Sequence, residues 1–222
     1  LMQASELISS SIISIDPDDN GRKAITLMDD MRISHLPIVK NKIYFGLISE
    51  NEILQWDSTK DPINKHLTNL MAPYVMGSQH LFDIIEVLEA NNLTAVPVLD
   101  NDKQYLGTIS DRRLLLTIAK SSAIQDIGGI IVLEMNHNDY SMSEISSIIE
   151  SNNTKILSSY ITSTPESTKM ELTIKVNVTE VDNIIADLKR FEYNVMASYN
   201  DSNNTNDDIM ERYESLMRYL GT

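Results

Sequence analysis

Two serines sit at matched places in this chain, 61 residues apart, each where an apolar run ends. The first opens Ser49-Glu50-Asn51-Glu52. That is a capping box: the serine hydroxyl accepts the third N–H of a helix, and Glu52 reaches back to the serine N–H. The second opens Ser110-Asp111-Arg112-Arg113, which keeps the cap and loses the returning carboxylate. Cations in a first helical turn oppose the helix dipole. Arg112 and Arg113 therefore gain a reason if an anion sits there, since a guanidinium offers phosphate a fork of donors. Plain caps, worth ~1 kcal/mol each, and two solvated arginines account for the same residues without any ligand. His35 stands alone and reads first as a packing or surface residue; His66, His80 and His137 lack metal-site spacing. The chain has no nucleophile elbow, phosphate loop, histidine pair or spaced carboxylate dyad.

These residues hang on a repeated frame. One copy runs His35-Leu36-Pro37-Ile38-Val39, Tyr44, then Gly46-Leu47-Ile48-Ser49. The other runs Ala95-Val96-Pro97-Val98-Leu99, Tyr105, then Gly107-Thr108-Ile109-Ser110. The prolines are 60 apart and the glycines 61, which marks a duplicated supersecondary unit. In the first copy the pattern predicts a brief strand over Ile12–Ile15 and a helix capped by Asp18 or Asp19, with Ala24, Leu27, Met28 and Met31 as its stripe. Strands at 36–40 and 43–48 follow, joined by a tight turn at Asn41-Lys42, then a helix ending near Trp56. In the second copy Val75 is a short strand, and Leu81, Ile84, Ile85 and Leu88 line a helix. Strands at 95–99 and 105–109 precede a helix from Asp111 to about Ser121.

The pattern changes at Gly128-Gly129. Ile130–Met135 reads as a strand, a helix begins near Ser141, and Ile156–Thr162 is a second strand. Met170, Leu172, Ile174 and Val176 alternate with polar residues, as in a strand buried on one face. Thr179 is placed to cap a helix lined by Val181, Ile184, Ile185 and Leu188, and Tyr193–Tyr199 alternates again. This β-α-β-β-α-β order fits a ferredoxin-like sandwich. Residues 206–221 read as an amphipathic helix, with Ile209, Met210, Tyr213, Leu216, Met217 and Leu220 on one side.

Composition excludes several classes. The chain has 222 residues, no cysteine and a formal net charge of −14. Disulfides, thiolate metal sites and cysteine nucleophiles are therefore out. The acidity argues against a nucleic-acid polymer as partner, which needs a basic footprint. No apolar run approaches the ~20 residues of a membrane span. The N-terminus lacks a basic-then-apolar signal, so a cytoplasmic location is expected. The chain opens on Leu1, which leaves open both a fragment of a longer protein and a start at Met2.

The two copies resemble cystathionine-β-synthase-type (CBS) domains arranged as a pair, a Bateman module. The likeness rests on the β-α-β-β-α order, the hydrophobic-Pro-hydrophobic strand and the Gly-hydrophobic-hydrophobic-Ser turn, twice in register. Residues 1–60 and 61–122 would be the two repeats. Residues 129–199 resemble an ACT-type domain by topology, and the order is similar to acetoin-utilisation-type bacterial proteins. The fold class expected is thus α+β. The resemblance implies a non-enzymatic regulatory protein, with AMP, ADP or ATP as ligand in the cleft between repeats, and no resident cofactor or metal. In the family pattern a Ser or Thr, and an Asp or Asn three residues on, hold ribose and phosphate. Ser49 with Glu52, and Ser110 with Arg113, fill those positions here; Asp111 does not. His35, Leu36 and Val96 fall where members line the adenine pocket. Arginine cannot accept from ribose hydroxyls, so Glu52 suits ribose while Arg112 and Arg113 suit phosphate. One nucleotide per pair is expected, its phosphate at free N–H groups of the helix begun at Ser110. The ACT-like part carries Asn136-His137-Asn138-Asp139-Tyr140-Ser141 where its family has a glycine-bearing elbow, which argues against amino-acid binding there. A C2 homodimer is expected, with no membrane partner and an unnamed downstream protein target. A ligand-free dimerisation scaffold and an unrecognised enzyme are the alternatives.

Overall fold

The computed structural model describes residues 2–68, 70–121, 123–165 and 167–200 and is α+β throughout. Its contacts divide the chain between Ile118 and Ala119. In the first unit the elements run α1 (Ala4–Leu7), α2 (Gly21–Met31), β1 (His35–Lys40), β2 (Ile43–Ser49) and α3 (Glu50–Leu54). A 3₁₀ turn at Ile63–His66 leads to β3 (Val75–Met76), α4 (Leu81–Ala90), β4 (Ala95–Leu99), β5 (Tyr105–Ser110) and α5 (Asp111–Ser121), whose last turn runs past the division.

Each repeat is built on one hairpin. Asn41 and Lys42 both have positive φ, 52° and 67°, the requirement of a type I′ two-residue turn between β1 and β2. In the matching hairpin the Asp100 carboxylate accepts the N–H groups of Asp102 and Gln104, which shapes the longer loop. Both hairpins are antiparallel and repeat one register: Pro37 lies opposite Leu47, and Pro97 opposite Thr108.

The two hydrophobic cores interlock. Ile15, Met28, Leu36, Ile38, Ile48, Ile53 and Ile63 fill the first, and Ala95 of the second repeat joins them. Val75, Ile84, Val96, Val98 and Ile109 fill the second, together with Leu47 of the first repeat and Ala4 and Leu7 of α1. Each fully buried side chain of this size contributes roughly 1.5–3 kcal/mol.

Some local expectations are corrected. Ile12–Ile15 forms no strand; Ile15 alone bridges to Ile38. The cap of α2 is Asn20, whose side chain accepts from the Lys23 N–H at 3.0 Å. Asp18 and Asp19 instead hold Lys40 and Lys23. The pattern could not choose among adjacent capping residues, because all three carry the same short acceptor.

The second unit runs β6 (Ile130–Asn136), α6 (Met142–Ser151), β7 (Ile156–Ser163), β8 (Lys169–Val176), α7 (Asp182–Arg190) and β9 (Asn194–Tyr199). The sheet order is β7-β8-β6-β9, all antiparallel, which is the ferredoxin-like arrangement expected. Ile131, Leu133, Leu172 and Ile174 face Ile145, Ile149, Ile184 and Leu188 of the helices in one core. Ser141 caps α6, but Val181 precedes α7 with no side-chain cap, so Thr179 does not serve. The helix expected over 206–221 lies outside the described residues. Among the described residues no helix is long and apolar enough to cross a membrane.

Candidate functional site

The two serines begin α3 and α5, but their surroundings differ. Ser49 Oγ accepts the Glu52 N–H at 3.2 Å. The Glu52 carboxylate takes the Ser49 N–H at 2.7 Å and the Ser49 hydroxyl at 2.6 Å. The box is closed, and one carboxylate oxygen of Glu52 is committed twice. At α5, Ser110 is 9% exposed and among the described residues its Oγ accepts only the Arg113 N–H, at 3.3 Å. The first N–H of that helix donates to the Thr94 carbonyl at 3.1 Å. The second donates to the carboxylate of Asp111. The expected free N–H groups are therefore already partnered, since Asp111 and Ser110 cap the helix between them. The side chains of Arg112 and Arg113 are exposed and have no ion-pair partner among the described residues.

His35 lies opposite Ser49 in the β1–β2 ladder and is half-buried. Its Nδ1 accepts the Thr94 N–H at 3.2 Å and is 3.1 Å from Thr94 Oγ1. Burial holds its imidazole below the usual histidine range, with the Glu52 charge opposing. Leu36 and Val96 are fully buried, one in each core. Only their backbone can border a ligand. The structure thus gathers His35, Ser49 and Glu52 on one side and Ser110, Arg112 and Arg113 on the other. Thr94 and Ser34 join the two groups, and sequence reading missed both. The 60-residue shift aligns Ser34 with Thr94, which was the available signal.

The segment leading into each repeat crosses to the other. The Ser9 N–H donates to the Thr108 carbonyl at 2.8 Å, and the Leu47 N–H donates to the Met71 carbonyl at 2.8 Å. A Cβ on Gly107 would collide with Ile8 Cγ2, and one on Gly46 would meet Leu70 Cβ at 3.0 Å. The glycines admit these crossing segments.

Surface cavities of about 610 Å³ lie in both units. One borders Arg32, Ser34 and Glu50 in the first unit. The other, in the second unit, is lined by Glu134, Asp139, Glu144, Lys169 and Tyr193. Its charges are partly spent: Lys169 pairs with Glu134, and the Tyr193 hydroxyl donates to Glu144. Among the described residues no group of three or more His, Asp or Glu side chains is placed to hold a metal.

The family model of the CBS domain matches this chain twice, at residues 4–59 and 63–120. An inosine-5'-monophosphate dehydrogenase of Methanocaldococcus jannaschii is 24% identical over 152 residues, 67% of this chain and 30% of its own length. An uncharacterised protein of the same organism is 24% identical over 161 residues, 36% of its length. The chain thus spans about a third of the curated relatives it matches. Among solved structures, a CBS domain pair/ACT domain protein of Thermotoga maritima is similar at 13% identity and TM-score 0.47, covering 54% of this chain and 98% of that one. A CBSX2 structure in complex with AMP is similar at 14% identity and TM-score 0.45, with the same coverage.

Proposed function

The chain belongs to the CBS domain family, and on that premise we propose that its paired repeats bind one adenine nucleotide and work as a regulatory module without catalysis of their own. Arg112 and Arg113 carry this reading. They stand exposed and unpaired among the described residues at the N-terminus of α5, where a cation costs stability. A phosphate between them removes that cost. Ser110, beneath them, supplies the hydroxyl. Because the first N–H groups of α5 already have partners, the guanidiniums rather than the backbone hold the phosphate. Ligand shifts the relative orientation of the repeats only by its differential affinity for the two arrangements.

On the same reading residues 1–60 and 61–122 are the repeats and 129–199 an ACT-type domain. The protein is a cytoplasmic C2 homodimer acting on a downstream protein. One observation favours the scaffold alternative: Glu52, the ribose acceptor of this reading, is tied into its capping box. Calorimetry with AMP, ADP and ATP decides between them. The expected result is one nucleotide per chain. No heat of binding at millimolar nucleotide would leave the scaffold.

A further inference from the structure

The two repeats meet where β1 and β4 begin. The Ser34 N–H donates to Thr94 Oγ1 at 2.9 Å. A symmetric return bond would run from the Thr94 N–H to the Ser34 hydroxyl. Instead the Thr94 N–H donates to His35 Nδ1 at 3.2 Å, with Thr94 Oγ1 3.1 Å from the same nitrogen. A backbone N–H can only donate, so Nδ1 is an acceptor and the neutral ring carries its proton on Nε2.

The same two residues grip the helices of the candidate site. The Glu50 N–H donates to the Ser34 carbonyl at 3.0 Å, and the Asp111 N–H to the Thr94 carbonyl at 3.1 Å. Glu50 is the first residue of α3 and Asp111 the first of α5. We infer that His35, Thr94 and Ser34 form a latch between the repeats that acid releases, and that it regulates nucleotide binding by setting where α3 and α5 begin. The inference rests on the nucleotide reading above.

Protonation comes from solvent and places a proton on Nδ1. That sets N–H against the Thr94 N–H, so the bond breaks and the ring turns toward Thr94 Oγ1 or away. Thr94 keeps the Ser34 N–H but loses its tie to His35, and a shift of its carbonyl carries the start of α5 with it. The charged groups around the latch are Arg32 and Glu50, which line one cavity with Ser34, and Glu52 of α3; on the α5 side the nearest is Asp111, whose N–H the Thr94 carbonyl holds. Glu52 acts on His35 and favours its charged form, against burial.

The test uses the full chain. Amide NMR follows Thr94, Glu50 and Asp111 while the His35 ring titrates without ligand. Calorimetry measures AMP at about pH 7.5 and about pH 5.5. The control is His35→Asn, whose side-chain oxygen can accept from Thr94 and does not titrate. The three amides should move with the ring, and wild-type affinity should fall about fivefold further in acid than that of His35→Asn, the weight of one hydrogen bond. Equal acid losses in the two proteins would overturn the latch, because the phosphate's own titration then explains them. So would a ring that titrates while the amides stay still. Binding of AMP at neither pH would overturn the nucleotide reading by itself, since the amides report the latch without ligand.

Discussion

At the start of α3, a serine, its own N–H and a glutamate close a ring of three hydrogen bonds. At the start of α5, the matching serine hydroxyl accepts one N–H among the described residues, at 3.3 Å, and the residue three positions on is an exposed arginine. The backbone frames are alike: same hairpin register, same proline, same glycine, same cap. The difference lies in side chains: Glu52 against Arg113, and Asp111, whose carboxylate takes the second N–H of α5, against Glu50. Glu52 stabilises its helix, and Arg113 opposes the dipole of its own. One repeat therefore spends this position on folding and the other leaves it for a ligand.

Interlocked cores set the limit of that comparison. Leu47 belongs to the first repeat by sequence but is buried among Val75, Val96, Val98 and Ile109 of the second. Leu47→Ala should cost about 2–5 kcal/mol, as large-to-small core changes do. Urea unfolding measures the loss. Methyl NMR should show the disturbance at Val96 and Ile109 more than at Ile53. A disturbance confined to the first repeat would mean that the repeats fold as separate cores.

The ligand contrast comes next in size. Arg113→Ala should weaken ATP binding by about 1.5–3 kcal/mol, the range for hydrogen bonds to charged groups, and AMP by less. Glu52→Ala should weaken AMP and ATP alike by about 0.5–1.5 kcal/mol, one hydrogen bond to ribose, and cost about 1 kcal/mol of stability, the weight of a cap. Calorimetry and urea unfolding on both variants read this out. Loss of binding in Glu52→Ala with none in Arg113→Ala would assign the ligand to the opposite repeat.

Much of the frame was legible because it repeats. Two Pro-centred strands and two Gly-to-Ser turns in register identify the CBS pair, and strict alternation at Met170–Val176 marks β8. The serine caps and the Glu52 box followed from spacing alone. What stayed hidden depends on contacts between repeats. Leu36 and Val96 look like pocket walls in sequence, yet each is sealed in a core. His35 looks solitary, yet its partner is Thr94, 59 residues away. Asp111 was set aside, yet its carboxylate takes an N–H that a phosphate would have used. Periodicity reports which face is buried and says nothing of what covers it.

The matched tyrosines sharpen the comparison further. The Tyr44 hydroxyl donates to the Pro73 carbonyl at 3.0 Å, while the Tyr105 hydroxyl lies 2.7 Å from Thr108 Oγ1. Thr108 is fully buried, so Tyr105→Phe strands its hydroxyl and should cost about 1 kcal/mol. Burial raises both phenols above their usual range, and for Tyr44 the neighbouring Tyr105 adds to it. An unfolded tyrosine releases its proton near pH ~10, where the folded ones still hold theirs. Stability is therefore full below that pH and is lost as pH rises toward the raised values. Alkaline unfolding followed by circular dichroism should come at higher pH in Tyr44→Phe, relative to its own neutral-pH stability. An unshifted transition would mean that the Tyr44 phenol is not shielded.

The smallest effect separates His35 from Ala95, its counterpart 60 residues on. Burial lowers the folded imidazole below its usual value, and Glu52 offsets part of that. An unfolded histidine takes up its proton near pH ~6.5, while the folded ring resists. The unfolded state then binds more protons, so stability rises with pH across this window. The contribution is complete above the unfolded value. It is lost as pH falls toward the lowered folded value, and below that the loss stops growing. A half-buried ring keeps water on one side, which makes the slope shallow. Urea midpoints of wild type should fall between about pH 7 and about pH 5.5 by more than those of His35→Asn, which keeps an acceptor for Thr94 and has no proton to gain. Ala95→Ser, which adds a hydroxyl at the buried counterpart, should lower the midpoint equally at both pH values. Parallel losses in wild type and His35→Asn would place the acid sensitivity in the carboxylates and remove His35 from the contrast between the repeats.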